Sequence, residues 1–326
     1  MNNTAQMIVV KNQGVLPISP YLTGIEAVNF QEDCQQFLKD HALPTQIICD
    51  FSQTKFIDSS GIGALVKNYK MAREKGVELI LRGVRPQVML ALEMAGLSKV
   101  FTFDSLAENA APAFDSSENQ LPITHPSVRS KLKRVIDIVG GIIGLGITAL
   151  VFIPIAVAIK LDSPGPIFFS QVRCGWLGRR FRIWKFRSMC VNAEALKDHI
   201  QNQASGAIFK NDNDPRITRV GRFLRRTSLD ELPQFWNVIK GEMSLVGTRP
   251  PTPNEVEIYE VPEWQRLNVK PGITGEWQVN GRSQIRDFEE IIRLDLRYQR
   301  NWSFLYDLKL ILKTVLVLFS KNSGAV

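Results

Sequence analysis

The chain has only four cysteines, at 34, 49, 174 and 190, and only three histidines. No two cysteines form a C-x-x-C pair and the histidines complete no zinc spacing, which argues against a disulfide scaffold, a dithiol redox site and a structural zinc site. The four thiols read as reduced cytosolic side chains. The first residues are polar and lack the apolar core of a secretory leader. No internal repeat is visible, which argues against solenoids and propellers. No RNA- or DNA-binding motif is present either, so nucleic acid is not the expected partner of a chain with a formal net charge of +8.

That charge is unevenly placed. Residues 1–112 carry 10 Lys and Arg against 11 Asp and Glu, and residues 113–130 carry one Arg against one Asp and one Glu. Residues 131–326 therefore hold a net +10. A basic half beside a neutral half implies an anionic partner for the second half alone, such as lipid headgroups or a phosphorylated substrate.

A length of 326 residues suggests two domains. Residues 1–112 read as a small α/β domain. Residues 47–51 and 77–81 have the apolar runs of strands, and residues 60–75 place Ile62, Leu65, Val66 and Tyr69 at helical spacing between them. Strand, helix and strand in alternation imply parallel pairing. Residues 113–130, with Ser116, Ser117, Pro122 and Pro126 and few large apolar side chains, read as a linker.

Residues 135–159 form a long apolar run whose one charge is Asp137. As a helix it would reach roughly 38 Å, enough to cross a hydrocarbon core of ~30 Å. Two features complicate a simple span. Pro154 and the glycines at 140, 141, 144 and 146 weaken a straight helix. Both flanks are basic, with Lys131, Lys133 and Arg134 before the run and Lys160, Arg173, Arg179 and Arg180 after it, and positive flanks favour the cytoplasmic side. The residues alone leave open a spanning helix and a re-entrant one bent near Pro154. Residues 304–319 are mostly apolar, with Lys309 and Lys313 on one helical face, as in a helix lying in a membrane interface or a core helix with a solvated stripe.

The stretch 227–237, Thr-Ser-Leu-Asp-Glu-Leu-Pro-Gln-Phe-Trp-Asn, places Asp230 and Glu231 side by side behind Arg216, Arg219, Arg222, Arg225 and Arg226. Neighbouring side chains on a helix diverge by roughly 100°, so the pair suits divided roles, one carboxylate as nucleophile and the other holding a metal. The arginines suit a phosphorylated substrate. A plainer reading is that Ser228 and Glu231 form a capping box and start a helix.

From Lys131 onward the chain resembles the bacterial sugar transferases, the monotopic polyprenyl-phosphate phosphoglycosyl transferases. The resemblance rests on Lys133-Arg134-Val135-Ile136-Asp137, Ser163-Pro164-Gly165-Pro166, Lys185-Phe186-Arg187-Ser188-Met189, Asp214-Pro215-Arg216 and Thr227 to Gln234. It continues through Lys240 to Gly247, Arg249-Pro250, Lys270 to Gly275, and Gln278-Val279-Asn280-Gly281-Arg282. It implies transfer of a sugar-1-phosphate from a UDP-sugar to undecaprenyl phosphate with release of UMP, as a first membrane step of exopolysaccharide, capsule or glycoconjugate assembly. It implies Asp230 as the nucleophile that forms a phosphosugar-enzyme intermediate and Glu231 as a ligand of Mg²⁺. Arg225, Arg249, Arg282, Lys185 and Arg187 then fall at positions for the phosphates and nucleotide. A lipid-embedded acceptor and a cytosolic donor imply a mainly helical α+β domain over residues 131–326, monotopic on the cytoplasmic face of the plasma membrane, with residues 135–159 re-entrant. Where some relatives have Ser-Pro at the bend, this chain has Ile153-Pro154, so no serine hydroxyl helps satisfy the freed backbone there.

Residues 1–112 resemble a STAS domain, the fold of anti-sigma-factor antagonists, through Phe56-Ile57-Asp58-Ser59-Ser60-Gly61-Ile62-Gly63. The resemblance implies regulation or dimerisation, hence a homo-oligomer and a signalling partner, with Ser59 as a phosphorylation site. The simpler reading is that Asp58 or Ser59 caps the following helix. The competing function is a catalytically degenerate membrane scaffold carrying this signalling module. The sequence does not name the sugar.

Overall fold

The computed structural model describes residues 8–10, 13–39, 44–104, 124–281 and 285–319, arranged as two compact units. The first comprises Met1–Thr124 with two segments from further along the chain, Leu177–Arg179 and Tyr259–Asn268. Its elements are β1 (Ile8–Val10), β2 (Gln13–Pro17), β3 (Tyr21–Leu22), α1 (Gly24–Phe37), β4 (Gln46–Asp50), β5 (Phe56–Ile57), α2 (Ser59–Glu74), β6 (Glu78–Arg82), α3 (Pro86–Met94) and β7 (Thr102–Phe103). The main sheet runs β1-β2-β4-β6-β7, with β1 antiparallel to β2 and the remaining pairs parallel. Ile47, Ile48 and Cys49 of β4 are all buried, as expected of a central parallel strand covered on both faces. Ile62, Leu65 and Ala72 of α2 and Ala27 and Phe30 of α1 complete this core. The two predicted strands and the helix between them form within about a residue of the expected bounds.

Sequence reading assigns everything from residue 131 to the second domain, and the structure divides the chain differently. Val261–Asn268 is a 3₁₀ helix in the first unit. Three residues per turn bring Val261, Trp264 and Leu267 onto one face, and all three are buried. Most of the predicted linker lies outside the described residues, and its end forms the short helix α4 (Pro126–Arg129).

The second unit holds α4, α5 (Lys131–Asp162), β8 (Phe168–Cys174), β9 (Arg180–Phe186), α6 (Arg219–Thr227), α7 (Phe235–Lys240), β10 (Ser244–Val246), α8 (Pro253–Glu257), β11 (Gly272–Thr274), α9 (Glu276–Val279), α10 (Phe288–Arg300) and α11 (Phe304–Phe319). β8 and β9 form an antiparallel hairpin, and β10 pairs with β11 in parallel. α5 is one helix through Pro154, capped at its start by the Ser130 side chain. One of its faces is apolar and exposed, including Val139, Ile142, Ile143, Leu150 and Ile153. Its other face is cut to fit. A Cβ on Gly144 would fall 2.3 Å from the Phe235 ring, and one on Gly141 would fall 2.7 Å from Ile239. The Thr148 hydroxyl lies 2.7 Å from Gly144 O, a back-bond that favours curvature six residues before the proline, and 3.3 Å from Leu232 O.

Both ends of α5 are bonded to this same unit. At the start, Lys133 Nζ donates to Asp307 at 2.6 Å and to Val246 O at 2.9 Å, and Arg134 donates to Val238 O and Ile239 O. Asp137 accepts from Ser244 Oγ and Leu245 N, both at 2.9 Å. At the far end Arg187 donates to Ser163 O at 2.7 Å and Pro164 O at 2.8 Å, and Asp162 accepts from Val220 N.

The Lys133–Asp307 pair is buried on both sides. Asp307→Asn should leave the ammonium without its counter-charge and lower the stability of the purified protein by roughly 3–5 kcal/mol, the range for breaking one partner of a buried pair. Thermal unfolding in detergent checks this. A melting temperature equal to wild type would show that the pair is not structural.

Candidate active site

A cavity of about 700 Å³ opens in the second unit, within the size range of small-molecule sites. Its polar wall contains Asp230, Glu231, Arg225, Lys185, Arg173 and Arg249. Much of its apolar wall comes from two helices, with Ile143 and Ile147 of α5 and Ile311, Val315 and Leu318 of α11, and Phe209, Phe235, Leu245 and Ile273 add to it.

The local fold around Asp230 departs from the capping-box expectation. α6 starts at Thr218, whose hydroxyl accepts from Gly221 N, and it ends at Ser228. Ser228 has φ of +59°, in the left-handed region that non-glycine residues seldom occupy. Its side chain makes no capping hydrogen bond to the helix that follows. The turn ends α6 and opens a 3₁₀ helix, Leu229–Gln234, that brings both carboxylates to the cavity. Of the five arginines behind the motif, Arg216 and Arg225 line the cavity, whereas Arg219, Arg222 and Arg226 do not. Arg216 is engaged by Asp214, with which it makes bonds of 2.7 and 2.9 Å, and its guanidinium lies over the Phe209 ring.

Lys185 Nζ contacts Glu231 Oε1 at 3.1 Å, so two predicted site residues form a pair. Arg249 is gripped in fork geometry by Glu255, at 2.8 and 3.1 Å. Glu255 also completes a capping box with Thr252 at the start of α8. Burial acts to raise the Glu255 carboxyl, but Arg249, its hydrogen bonds and Arg173 outweigh that and hold it at about 2. Burial, followed by the neighbouring Arg249, brings Arg173 down to about 10, which leaves it charged at neutral pH. Arg173 donates to Pro250 O at 3.0 Å and to Gln171 Oε1 at 2.7 Å.

Not every predicted residue comes to the cavity. Arg187 is buried, does not line it, and donates instead to the Ser163 and Pro164 carbonyls just past the end of α5. They lie beside the C-terminal end of the helix, where a cation is favoured. Arg282 lies outside the described residues. Pro154 sits inside α5. Ser59, in the first unit, is fully buried, and its hydroxyl makes no hydrogen bond among the described residues. Asp58 caps α2 by accepting from Gly61 N at 3.0 Å, as the simpler reading expected. Residues missed from sequence include Glu255, legible as the fourth residue of Thr-x-x-Glu, and Arg173, read only as a flanking charge. Lys210 and Trp277, in cation–π contact at 5.5 Å on the cavity wall, carried no local signal.

No group of three or more His, Cys, Asp or Glu side chains arranged for a metal occurs among the described residues. The donor set nonetheless fits Mg²⁺, which is commonly held by one or two carboxylates together with substrate phosphates and water.

Residues 128–321 match the family described as bacterial sugar transferase, and residues 4–109 match the STAS domain. A galactosyl transferase, CpsE, of Streptococcus agalactiae is 48% identical over 226 residues, covering 67% of this chain and 49% of that protein. The UDP-glucose:undecaprenyl-phosphate glucose-1-phosphate transferase of Escherichia coli is 42% identical over 228 residues, covering 66% and 46%. Among solved structures, the anti-sigma factor antagonist SpoIIAA in its unphosphorylated form aligns at 21% identity and a TM-score of 0.29, covering 32% of this chain and 91% of that one. The chain spans about half the length of the curated relatives it matches.

The folded-state value of Glu255 lies below the ordinary 4.5, so its contribution to stability is present above pH 4.5 and is lost as the pH falls toward 2. The shift corresponds to about 3 kcal/mol at neutral pH. Glu255→Gln should be less stable than wild type at pH 7 by an amount of that order, and the gap should shrink between pH 4.5 and 2. Denaturant unfolding at several pH values reads this directly. A gap that stays constant with pH would contradict it.

Proposed function

Because the chain belongs to the bacterial sugar transferase family, we propose that it transfers a sugar-1-phosphate from a UDP-sugar to undecaprenyl phosphate. The observation that carries this reading is a single cavity with two kinds of wall. Carboxylates and cations at Asp230, Glu231, Arg225, Arg249, Arg173 and Lys185 suit a diphosphate, while α5 and α11 offer an apolar surface for a polyprenyl chain. Asp230 attacks the phosphorus that bears the sugar. The bond from that phosphorus to the UMP oxygen breaks, and UMP leaves with the electron pair. A phosphate oxygen of the acceptor then attacks the same phosphorus, freeing the Asp230 carboxylate and giving undecaprenyl-diphosphate-sugar. The guanidinium and ammonium groups stabilise charge on the phosphoryl oxygens and stand in place before reaction, so no reorganisation is needed at that moment.

Glu231 would hold Mg²⁺ in exchange for its contact with Lys185, and the ion when bound would neutralise phosphate charge. The competing scaffold reading is disfavoured because the carboxylate pair, Arg225 and Arg249 are present and line one cavity. The STAS domain would regulate or assemble the enzyme through a signalling partner or a second copy.

α5 would sit re-entrant in the cytoplasmic leaflet of the plasma membrane. Its two ends and its middle are all bonded to one polar unit, and a spanning helix would have to separate one of its ends from that unit by ~30 Å of hydrocarbon.

Asp230→Asn should abolish both product and any phosphosugar adduct in a UMP-release assay run across a panel of UDP-sugars with undecaprenyl phosphate. An Asn variant keeping most of its turnover would sink the nucleophile assignment. Glu231→Gln should lose roughly 10–100-fold in rate with a weakened Mg²⁺ dependence, a loss typical of disturbed metal binding.

Single cysteines introduced near residues 128 and 165 should both be shielded from an impermeant thiol reagent applied to intact cells, and both should react after lysis. Labelling of either one from outside would refute the re-entrant topology.

A further inference from the structure

The end of α2 that carries Asp58 and Ser59 is already occupied. Within the first unit, Ser59 N donates to Asn268 Oδ1 at 2.9 Å, and Asn268 Nδ2 donates to Asp58 Oδ2 at 3.2 Å. One amide thus satisfies both a donor at the helix start and the capping carboxylate. One turn along, Gly63 leaves room for the Trp264 ring, since a Cβ there would fall 2.5 Å from it. A further turn along, Lys67 pairs with Glu260 at 2.7 Å. The contacts run in order, with 268, 264 and 260 meeting 59, 63 and 67. On α2 that spacing of four is one helix face, and the segment meets it in register along its length.

We propose that residues 259–268 are an internal ligand of the STAS surface, and that the Asp58–Ser59 end of α2 is closed to any other protein, including one that would modify Ser59, until this segment is displaced. The partner that fits the vacated surface must imitate the segment. It would present an amide side chain to Asp58 and the Ser59 amide, a large aromatic ring to the flat patch at Gly63, and an acidic group to Lys67. A partner offering a carboxylate at the first of these positions would meet Asp58 as a like charge and be rejected. The Ser59 hydroxyl, fully buried, is out of reach of a phosphoryl donor in the closed form.

The test uses the full chain in detergent with Ser59→Cys as the reporter and Cys190→Ser removing the half-buried thiol. The remaining cysteines, Cys34, Cys49 and Cys174, are buried. The reporter thiol should react with a maleimide reagent as slowly as those buried thiols. Adding Asn268→Asp, which sets a carboxylate against Asp58, should speed labelling of the reporter at least tenfold. Restoring an amide–carboxylate pair in reversed order, with Asp58→Asn on top of Asn268→Asp, should slow it again, since asparagine caps α2 as well as aspartate does. A purely structural role for Asn268 would give no such rescue. Should the Asn268 variant fail to fold, Trp264→Ala carries the same expectation of faster labelling. Rapid reaction of the reporter in the otherwise unchanged chain would overturn the proposal. So would an unaltered rate in a folded Asn268→Asp protein, or absence of rescue in the reversed pair.

Discussion

The buried ion pair between Lys133 and Asp307 is the constraint on which the second unit depends. An ammonium and a carboxylate removed from water cost several kcal/mol each unless every remaining polar contact is made. Here they are made. Tyr298 Oη lies 2.8 Å from Asp307 Oδ1, Trp302 Nε1 donates to Asp307 Oδ2 at 3.1 Å, and Val246 O accepts from Lys133. One cluster therefore joins the start of α5, the end of β10, the last turn of α10 and the first turn of α11. Because α5 and α11 supply much of the apolar wall of the cavity, the pair fixes the spacing of the two helices across that wall.

The cavity's cations are held rather than merely present. Arg249 is clamped by Glu255, Arg173 is tied to a backbone carbonyl, and Arg216 is immobilised by Asp214. A planar guanidinium held at two points loses little further freedom when a phosphate arrives, whereas a lysine does not offer that fork. Lys185 is the less constrained neighbour, and its partner is Glu231, the carboxylate best placed to exchange it for another cation. The division suits a site in which positioning is built in advance and one contact is exchangeable.

Much of this was legible in the chain, and the failures have physical causes. Ile47-Ile48-Cys49 and the 60–75 periodicity marked a covered parallel strand and its helix because burial on a regular element leaves a regular pattern. The β8–β9 hairpin escaped because it follows the long apolar run closely and its strands break the alternation, with Phe168, Phe169 and Val172 exposed on β8 and Arg180 and Arg182 exposed on β9, so its charges read as topological flanks. Arg187 was grouped with Lys185 through the shared motif Lys185-Phe186-Arg187-Ser188-Met189. Two residues apart on one strand would share a face, but the strand ends at Phe186 and Arg187 is captured by the Ser163 and Pro164 carbonyls just past the end of α5. Ser228 looked like a cap because Thr-Ser-x-x-Glu fits the pattern. Only the fold requires the left-handed turn that ends α6 there. The burial of Val261, Trp264 and Leu267 in Tyr259–Asn268 follows a spacing of three, a 3₁₀ signal too short to separate from noise.

The exposed faces of α5 and α11 leave this fold with an uncovered apolar surface, which the proposed membrane placement would cover. Leu150, Ile153 and Leu161 on one helix and Leu305, Leu312 and Leu316 on the other are largely uncovered. A run of that size in water would drive association. Their opposite faces are fully engaged, by Phe235 and Ile239 against the glycines of α5 and by a Thr274–Thr314 hydroxyl contact of 2.6 Å on α11. Neither helix can rotate its apolar side inward without losing those contacts, and under the proposed membrane placement lipid would supply the missing layer. Lys309 is exposed beside that apolar surface, where a long stem and a charged tip suit the level of anionic headgroups. The same arrangement places the carboxylate pair at the polar side of a cavity whose other wall continues into the exposed apolar faces of α5 and α11. That is the arrangement a reaction between a water-soluble donor and a lipid-bound acceptor needs.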